Sequence, residues 1–91
     1  MYQPEQELSL QNAVNSVQAG LAAIAQGQTD FDLSTLTIVD SSAVGAMLEW
    51  QRAASLQGKS ITFHHVPASI NSLMALYGVG DVLTIAPAGR H

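Results

Sequence analysis

Val39-Asp40-Ser41-Ser42-Ala43-Val44-Gly45 is the stretch that decides how this chain folds. An apolar run, Leu36, Ile38 and Val39, enters it. A helix-like run from Val44 to Leu56 leaves it. Asp40, Ser41 and Ser42 lie between the two, and all three are good helix N-caps, because a short side-chain oxygen accepts from the unpaired N–H groups of a first helical turn. A strand that ends at a capped helix puts hydroxyls and backbone N–H groups at the surface. Such a corner serves recognition or modification.

Working outward, Ser42 to about Leu56 reads as one helix, with Gly58 as its stop. Val44 and Leu48 lie on one side of it, and Ala43, Met47, Trp50 and Ala54 on another. A helix with two apolar sides packs on its own sheet with one and can offer the other to a partner. Trp and Met are enriched at interfaces, so Met47 and Trp50 are the expected partner anchors, the plain alternative being ordinary packing onto the sheet.

Upstream, Thr29 to Leu33 alternates like a strand, with Phe31 and Leu33 on one face and Asp30 and Asp32 on the other. Before it, Ser9 is the expected cap of a helix to about Gln26. Leu10, Val14, Val17, Leu21 and Ile24 follow three- and four-residue steps and form its apolar face. Gly20 lowers helix propensity by up to about 1 kcal/mol relative to Ala and suits close packing. Met1 to Glu7, polar and carrying Pro4, reads as an arm or a short edge strand.

Downstream, Ser60 to Val66 is a further strand, and adjacent His64 and His65 are expected on its opposite faces, where they cannot share a metal ion. Pro67 opens a third helix with Ile70, Leu73, Leu76 and Tyr77 as its buried stripe and Gly78 at its end. Asp81 is the expected cap of a last turn with Val82 and Leu83, and residues 86–91 are an expected frayed tail. Strands separated by helices imply right-handed parallel crossovers, with the loops at the strands' carboxyl ends gathered on one edge. Asp40-Ser41-Ser42, Glu7-Leu8-Ser9 and His65-Val66-Pro67 would share that edge.

Ninety-one residues make one domain, with its core at about residues 7–85. Hydrophobic residues are 47% and charged residues 11%, so a surface with a partner is expected. A net charge of −4, with only three Lys and Arg, excludes a nucleic-acid binder and a basic membrane-docking face. No cysteine is present, which excludes disulfide and thiol chemistry and fits a cytoplasmic protein. No secretory signal is visible, and the run Ala19 to Ala25 is far short of the ~20 residues that span a bilayer. No paired carboxylates, Ser–His–Asp spacing, metal-ligand set or phosphate loop is present. The sequence therefore points to no catalysis, no metal and no cofactor.

The loop Val39-Asp40-Ser41-Ser42-Ala43-Val44-Gly45 and the later run His65-Val66-Pro67-Ala68-Ser69-Ile70-Asn71-Ser72-Leu73, with Leu76-Tyr77-Gly78-Val79, resemble the STAS domains. These are the sulphate-transporter and anti-sigma-factor-antagonist modules. The run Trp50-Gln51-Arg52-Ala53-Ala54 makes the chain most similar to the MlaB-like branch. The resemblance covers roughly Glu7 to Leu83. It implies an α/β fold, a mixed sheet of about four strands backed by three to four helices. Family members usually begin with two strands, for which Met1 to Leu8 is short. The sheet would then lack a strand or be completed by a neighbour, a homodimer through the N-terminal arm.

The resemblance further implies a non-catalytic subunit that binds and regulates the cytoplasmic ATPase (MlaF-like) of a phospholipid-transporting ABC system maintaining outer-membrane asymmetry. It would be peripheral to the inner membrane through that complex. Ser41 stands where the family carries its regulatory Ser or Thr. The expected partner contacts are Glu7, Ser9, Asp40, Ser41, Ser42, Ala43, Met47 and Trp50. The alternative is an anti-sigma-factor antagonist switched by phosphorylation of Ser41. A phosphate there would meet a helix N-terminus yet add about −1.5 to −2 charge beside Asp40, an off-switch for a partner surface. The plain structural alternative is that Ser41 and Ser42 only cap the helix.

Overall fold

The computed structural model describes residues 1–86. Its elements are β1 (Glu7–Leu8), α1 (Ala13–Ala25), β2 (Asp30–Asp32), β3 (Ile38–Val39), α2 (Ser41–Leu56), β4 (Thr62–His64), α3 (Ala68–Tyr77) and β5 (Thr84–Ile85). The fold is α/β, as expected, with three helices and five short strands among the described residues. All pairings among the described residues are parallel: β1 with β3, and β2 with β4 with β5. Parallel neighbours need crossovers, and α1, α2 and α3 supply them.

The N-terminal segment joins the two groups of strands. Tyr2 pairs with Phe31 of β2: its N–H donates to the Asp30 carbonyl at 2.9 Å, and the Asp32 N–H donates to its carbonyl at 2.8 Å. Five residues later Glu7 lies in register with Ile38 of β3. Pro4 sits between the two pairings, buried, where its missing N–H breaks the ladder and the chain passes from one neighbour to the other. Within this chain the arm is therefore not an edge strand: it lies between β3 and β2.

Alternation sorts the sheet into two faces. Leu8, Phe31 and Phe63 point into the core and are fully buried. Asp30, Asp32, Thr62 and His64 point the other way. There His64 Nε2 lies 2.8 Å from Asp30 Oδ1, and His65 Nδ1 lies 3.1 Å from Asp32 Oδ1. The two imidazoles were expected on opposite faces. His65 instead has φ of +55°, which breaks strand alternation as β4 ends and brings its ring centroid within 6.4 Å of that of His64. Each ring pairs with its own carboxylate. Among the described residues, no group of three His, Asp or Glu side chains is placed to hold a metal ion.

The core is a single cluster fed by all three helices and centred on Trp50. The indole packs on Phe31 at 5.1 Å between centroids and meets Tyr2 edge-on at 6.5 Å. Its Nε1–H donates to the Val17 carbonyl at 3.1 Å. Gly20 makes room for it: a Cβ there would lie 2.2 Å from Trp50 Nε1. The close packing expected of Gly20 is thus a specific contact between α1 and α2. Trp50 and Met47 are fully buried, so neither is a surface anchor. The second apolar side of α2 is turned inward by α1 and α3, which pack on it from two directions.

Helix bounds differ from the expected ones for local reasons. Residues 9–12 form a turn, so α1 starts at Ala13 and Leu10 lies outside it. In α3 the buried residues are Ile70 and Met74, whereas Leu76 and Tyr77 are exposed. Pro67 is the N-cap of α3 rather than its first turn. Gly78 ends that helix with φ of +67°, a conformation that disfavours any side chain with a Cβ. The expected last turn at Asp81 leads into β5, which pairs with β4. The expected frayed tail lies, apart from Ala86, outside the described residues.

Candidate functional site

The site is built where β1 and β3 end side by side. Their register, Leu8 against Val39, brings Ser9-Leu10 next to Asp40. Asp40 is extended (φ −141°, ψ −167°) and caps α2. Its Oδ1 accepts from the Ser42 N–H at 2.8 Å and its Oδ2 from the Leu10 N–H at 3.0 Å. One carboxylate thus fastens the loop before α1 to the first turn of α2. Those N–H bonds, that from Leu10 foremost, hold the Asp40 carboxyl below its ordinary range, since they favour the charged form.

Because Asp40 caps the helix, Ser41 does not have to. It is the first residue of α2, exposed, at the positive end of a 16-residue helix. Ser42 is half-buried behind it, and Ala43 is fully buried. The three polar residues that look equivalent as caps are therefore divided: Asp40 does the capping, Ser41 faces outward, and Ser42 supplies a backbone donor.

Glu7 and Ser9 form an inner brace. The Ser9 hydroxyl donates to Glu7 Oε2 at 2.5 Å and accepts from the Gln11 N–H at 3.2 Å. Asn12 closes the turn from both ends, its Oδ1 accepting from the Ser9 N–H at 3.0 Å and its Nδ2 donating to the Glu7 carbonyl at 2.7 Å. Ser9 is 6% exposed and Glu7 is half-buried. Of the expected contact residues, then, Asp40 and Ser41 are on the surface, with Ser42 and Glu7 at its margin. Ser9, Ala43, Met47 and Trp50 are inside, because the turn at residues 9–12 and the packing of α1 on α2 cover them.

Two residues expected in the core are outside instead. Leu10 is 77% exposed and Val14 is 76% exposed. Val14 continues the apolar stripe of α1 past the point where α2 covers it, and Leu10 lies in the turn before that helix. Across from Val14, α2 carries Ser42, Gly45 and Ala46, too small to fill the gap. The result is an open groove of about 580 Å³ between the helices, with Ser42 in its lining. The run of small residues after Ser41, matched against the α1 stripe, was the signal in the sequence for this gap.

Chemically the corner offers an exposed hydroxyl at a helix N-terminus, parts suited to recognition. The imidazoles of His64 and His65 are engaged with Asp30 and Asp32 at the far strands. In the order β3, β1, β2, β4 these lie three strands away from Ser41. No helix among the described residues is long and apolar enough to cross a membrane.

A chain with a parallel sheet, a capped α2 and an exposed serine at its first position has the architecture of a STAS domain. The family model described as "Mlab, STAS domain" matches residues 5–85, and the chain belongs to that family. Among solved structures it is similar to the unphosphorylated form of the anti-sigma factor antagonist SpoIIAA, with a TM-score of 0.62 and 22% identity. That match covers 96% of this chain and 77% of the other, and at this identity it establishes the shared fold. No curated protein matches the chain.

Proposed function

We propose that this chain is the non-catalytic STAS subunit of an ABC system that moves phospholipid to maintain outer-membrane asymmetry, and that it binds and regulates the system's cytoplasmic ATPase. Its place would be the cytoplasm, at the inner membrane through that complex. The observation that carries the proposal is the exposed Ser41 at the start of α2. Asp40 frees it from capping and is itself bonded to the exposed Leu10, in a chain of the Mlab family. Asp40, Ser41 and the exposed edge of Ser42 form the polar centre of the contact. Glu7 and Ser9 hold the loop that flanks it.

Ser41→Arg tests this. Ser41 is exposed, so the variant folds, while a long cation at the centre of the surface prevents docking. Co-purification with the ATPase subunit should be lost and outer-membrane integrity impaired. Unchanged binding together with unchanged integrity refutes the proposal. Intact mass after incubation with ATP and a cognate kinase separates it from a phosphorylation-switched antagonist, since only the latter requires an added phosphate on Ser41.

A further inference from the structure

We infer that Asn12 is a positioning residue for Ser41: it shapes the turn at residues 9–12 so that the Leu10 N–H fixes the Asp40 carboxylate beside that serine. The inference rests on the reading of Ser41 as the ATPase contact and names what sets its presentation.

Asn12 stands where its side chain would ordinarily cap α1. It is the N-cap residue of that helix, and asparagine is favoured there because its oxygen accepts from first-turn N–H groups. Here the side chain makes no such bond. It is turned the other way, accepting from the Ser9 N–H at 3.0 Å and donating to the Glu7 carbonyl at 2.7 Å. A side chain suited to stabilising α1 serves the segment before it instead.

What it completes there is a capping box for the turn. The Ser9 hydroxyl accepts from the Gln11 N–H at 3.2 Å, and Asn12 reaches back to the Ser9 N–H, in the place that Glu or Gln takes in the usual form of the motif. The Asn12 N–H donates to the Ser9 carbonyl at 3.1 Å. The N–H groups of Ser9, Gln11 and Asn12 thus find acceptors inside the turn. The Leu10 N–H finds its acceptor outside it, on Asp40 Oδ2 at 3.0 Å, thirty residues further along the chain. No local preference brings two such distant groups together. The shape of the turn does.

Asp40 has two oxygens and one donor for each. The Ser42 N–H holds Oδ1 at 2.8 Å and the Leu10 N–H holds Oδ2. Gripped on both oxygens, the carboxylate keeps one orientation. Released by Leu10, it could swing and accept from the Ser41 hydroxyl, which would draw that side chain back from the surface. The Leu10 bond is also the foremost reason that the Asp40 carboxyl lies below its ordinary range. The titration of Asp40 therefore reports on Asn12 through the turn that Asn12 shapes.

Three substitutions and one combination isolate this series of contacts. Asn12→Ala removes both side-chain bonds. Leu10→Pro removes the N–H that reaches Asp40, at the position after a cap, where proline is favoured. Leu10→Ala keeps that N–H and trims only the exposed side chain. Asn12→Ala combined with Leu10→Pro closes a double-mutant cycle. Carbon-13 NMR follows the Asp32 and Asp40 carboxyl groups through an acid titration, and calorimetry measures binding of the purified ATPase subunit to each variant and to Ser41→Arg. Asn12→Ala and Leu10→Pro should each raise the Asp40 midpoint toward its ordinary value and leave that of Asp32 in place, a selectivity that general loosening of the fold would not produce. Each should weaken ATPase binding about ten-fold, the effect of losing one hydrogen bond to a charged group. The combined variant should be no worse than Leu10→Pro alone. Leu10→Ala should titrate as the native chain does and bind more tightly than Leu10→Pro.

An Asp40 midpoint that Asn12→Ala leaves unmoved overturns the inference. So do effects that add in the combined variant, because Asn12 then acts by a route other than the Leu10 N–H. If Asn12→Ala and Leu10→Pro bind the ATPase as tightly as the native chain while Ser41→Arg does not, the positioning role fails and the Ser41 reading stands. If the native chain does not bind the ATPase, both fail together.

Discussion

Gly20→Ala separates helix propensity from tertiary packing more sharply than any other substitution in this chain. On propensity alone Ala should stabilise the middle of α1 by about 0.5–1 kcal/mol. The added Cβ, however, would lie 2.2 Å from Trp50 Nε1, 2.4 Å from Cε2 and 2.8 Å from Cδ1. The indole is rigid, fully buried and held on its other sides by Phe31 and Tyr2, so it cannot turn aside cheaply. Forcing atoms into a packed core costs about 1–3 kcal/mol. Any retreat of the ring also stretches the bond from Nε1 to the Val17 carbonyl, and a buried donor left unpaired costs about 1–3 kcal/mol more. Packing exceeds propensity, and the net effect is a destabilisation of roughly 1–3 kcal/mol, a fall in Tm of about 5–20 °C for a domain of this size.

Thermal and urea unfolding followed by far-UV circular dichroism measures this, and the emission of the single tryptophan reports directly on the contact. The same substitution in a Trp50→Leu background completes a double-mutant cycle. Leu lacks the two nearest atoms, so Ala at position 20 should there be neutral or stabilising. A Gly20→Ala protein as stable as the native one, or more so, would mean that α1 and α2 do not meet closely here and that the description of the core is wrong.

Three other outcomes follow from the same structure. Trp50→Ala should cost about 3–5 kcal/mol, a large part of the stability of a small domain, seen as an early, broadened urea transition. Gly78→Ala should cost about 1–2 kcal/mol because its φ of +67° is strained for any residue with a Cβ, and the loss should appear in Tm without a change in ATPase binding. In acid, Asp32 and Asp40 work in the same direction. The Ser34 N–H, with smaller help from the Ser34 hydroxyl and His65, lowers the Asp32 carboxyl, as the Leu10 and Ser42 N–H groups lower Asp40. A carboxyl with a lowered folded pKa contributes stability above its unfolded value of about 3.9 and loses it as pH falls through the folded value. Urea midpoints should therefore drop as pH falls below about 4, and Asp32→Asn or Asp40→Asn should flatten that drop; an unaltered pH profile in both variants would contradict the hydrogen bonding described.

Much of the fold could be read from local pattern. Alternation at Phe31 and Phe63, the capped start of α2 and the glycine after Tyr77 are short-range signals, each expressing a period or a dihedral preference of a few residues. The loop at Asp40-Ser41 was legible for the same reason, since capping chemistry is local. The N-terminal arm was not, because Tyr2 finds its place only by pairing with a strand about thirty residues away. The faces of the helices were misread where they depended on a neighbour. A helical stripe says which residues share a side, and not how far along that side a covering element reaches.

By itself, then, the sequence determined that a strand meets a capped helix at Asp40 and Ser41, that helices and strands alternate, and that the surface is acidic and sparsely charged. Only the tertiary structure decided which apolar residues that arrangement hides. Trp50 and Met47 went inward because Gly20 lets α1 close over them. Val14 stayed in water because Ser42, Gly45 and Ala46 leave α2 too slender to reach it, and Leu10 because the chain turns before α1 begins. Burial is a property of two surfaces brought together, and the second surface is written elsewhere in the chain.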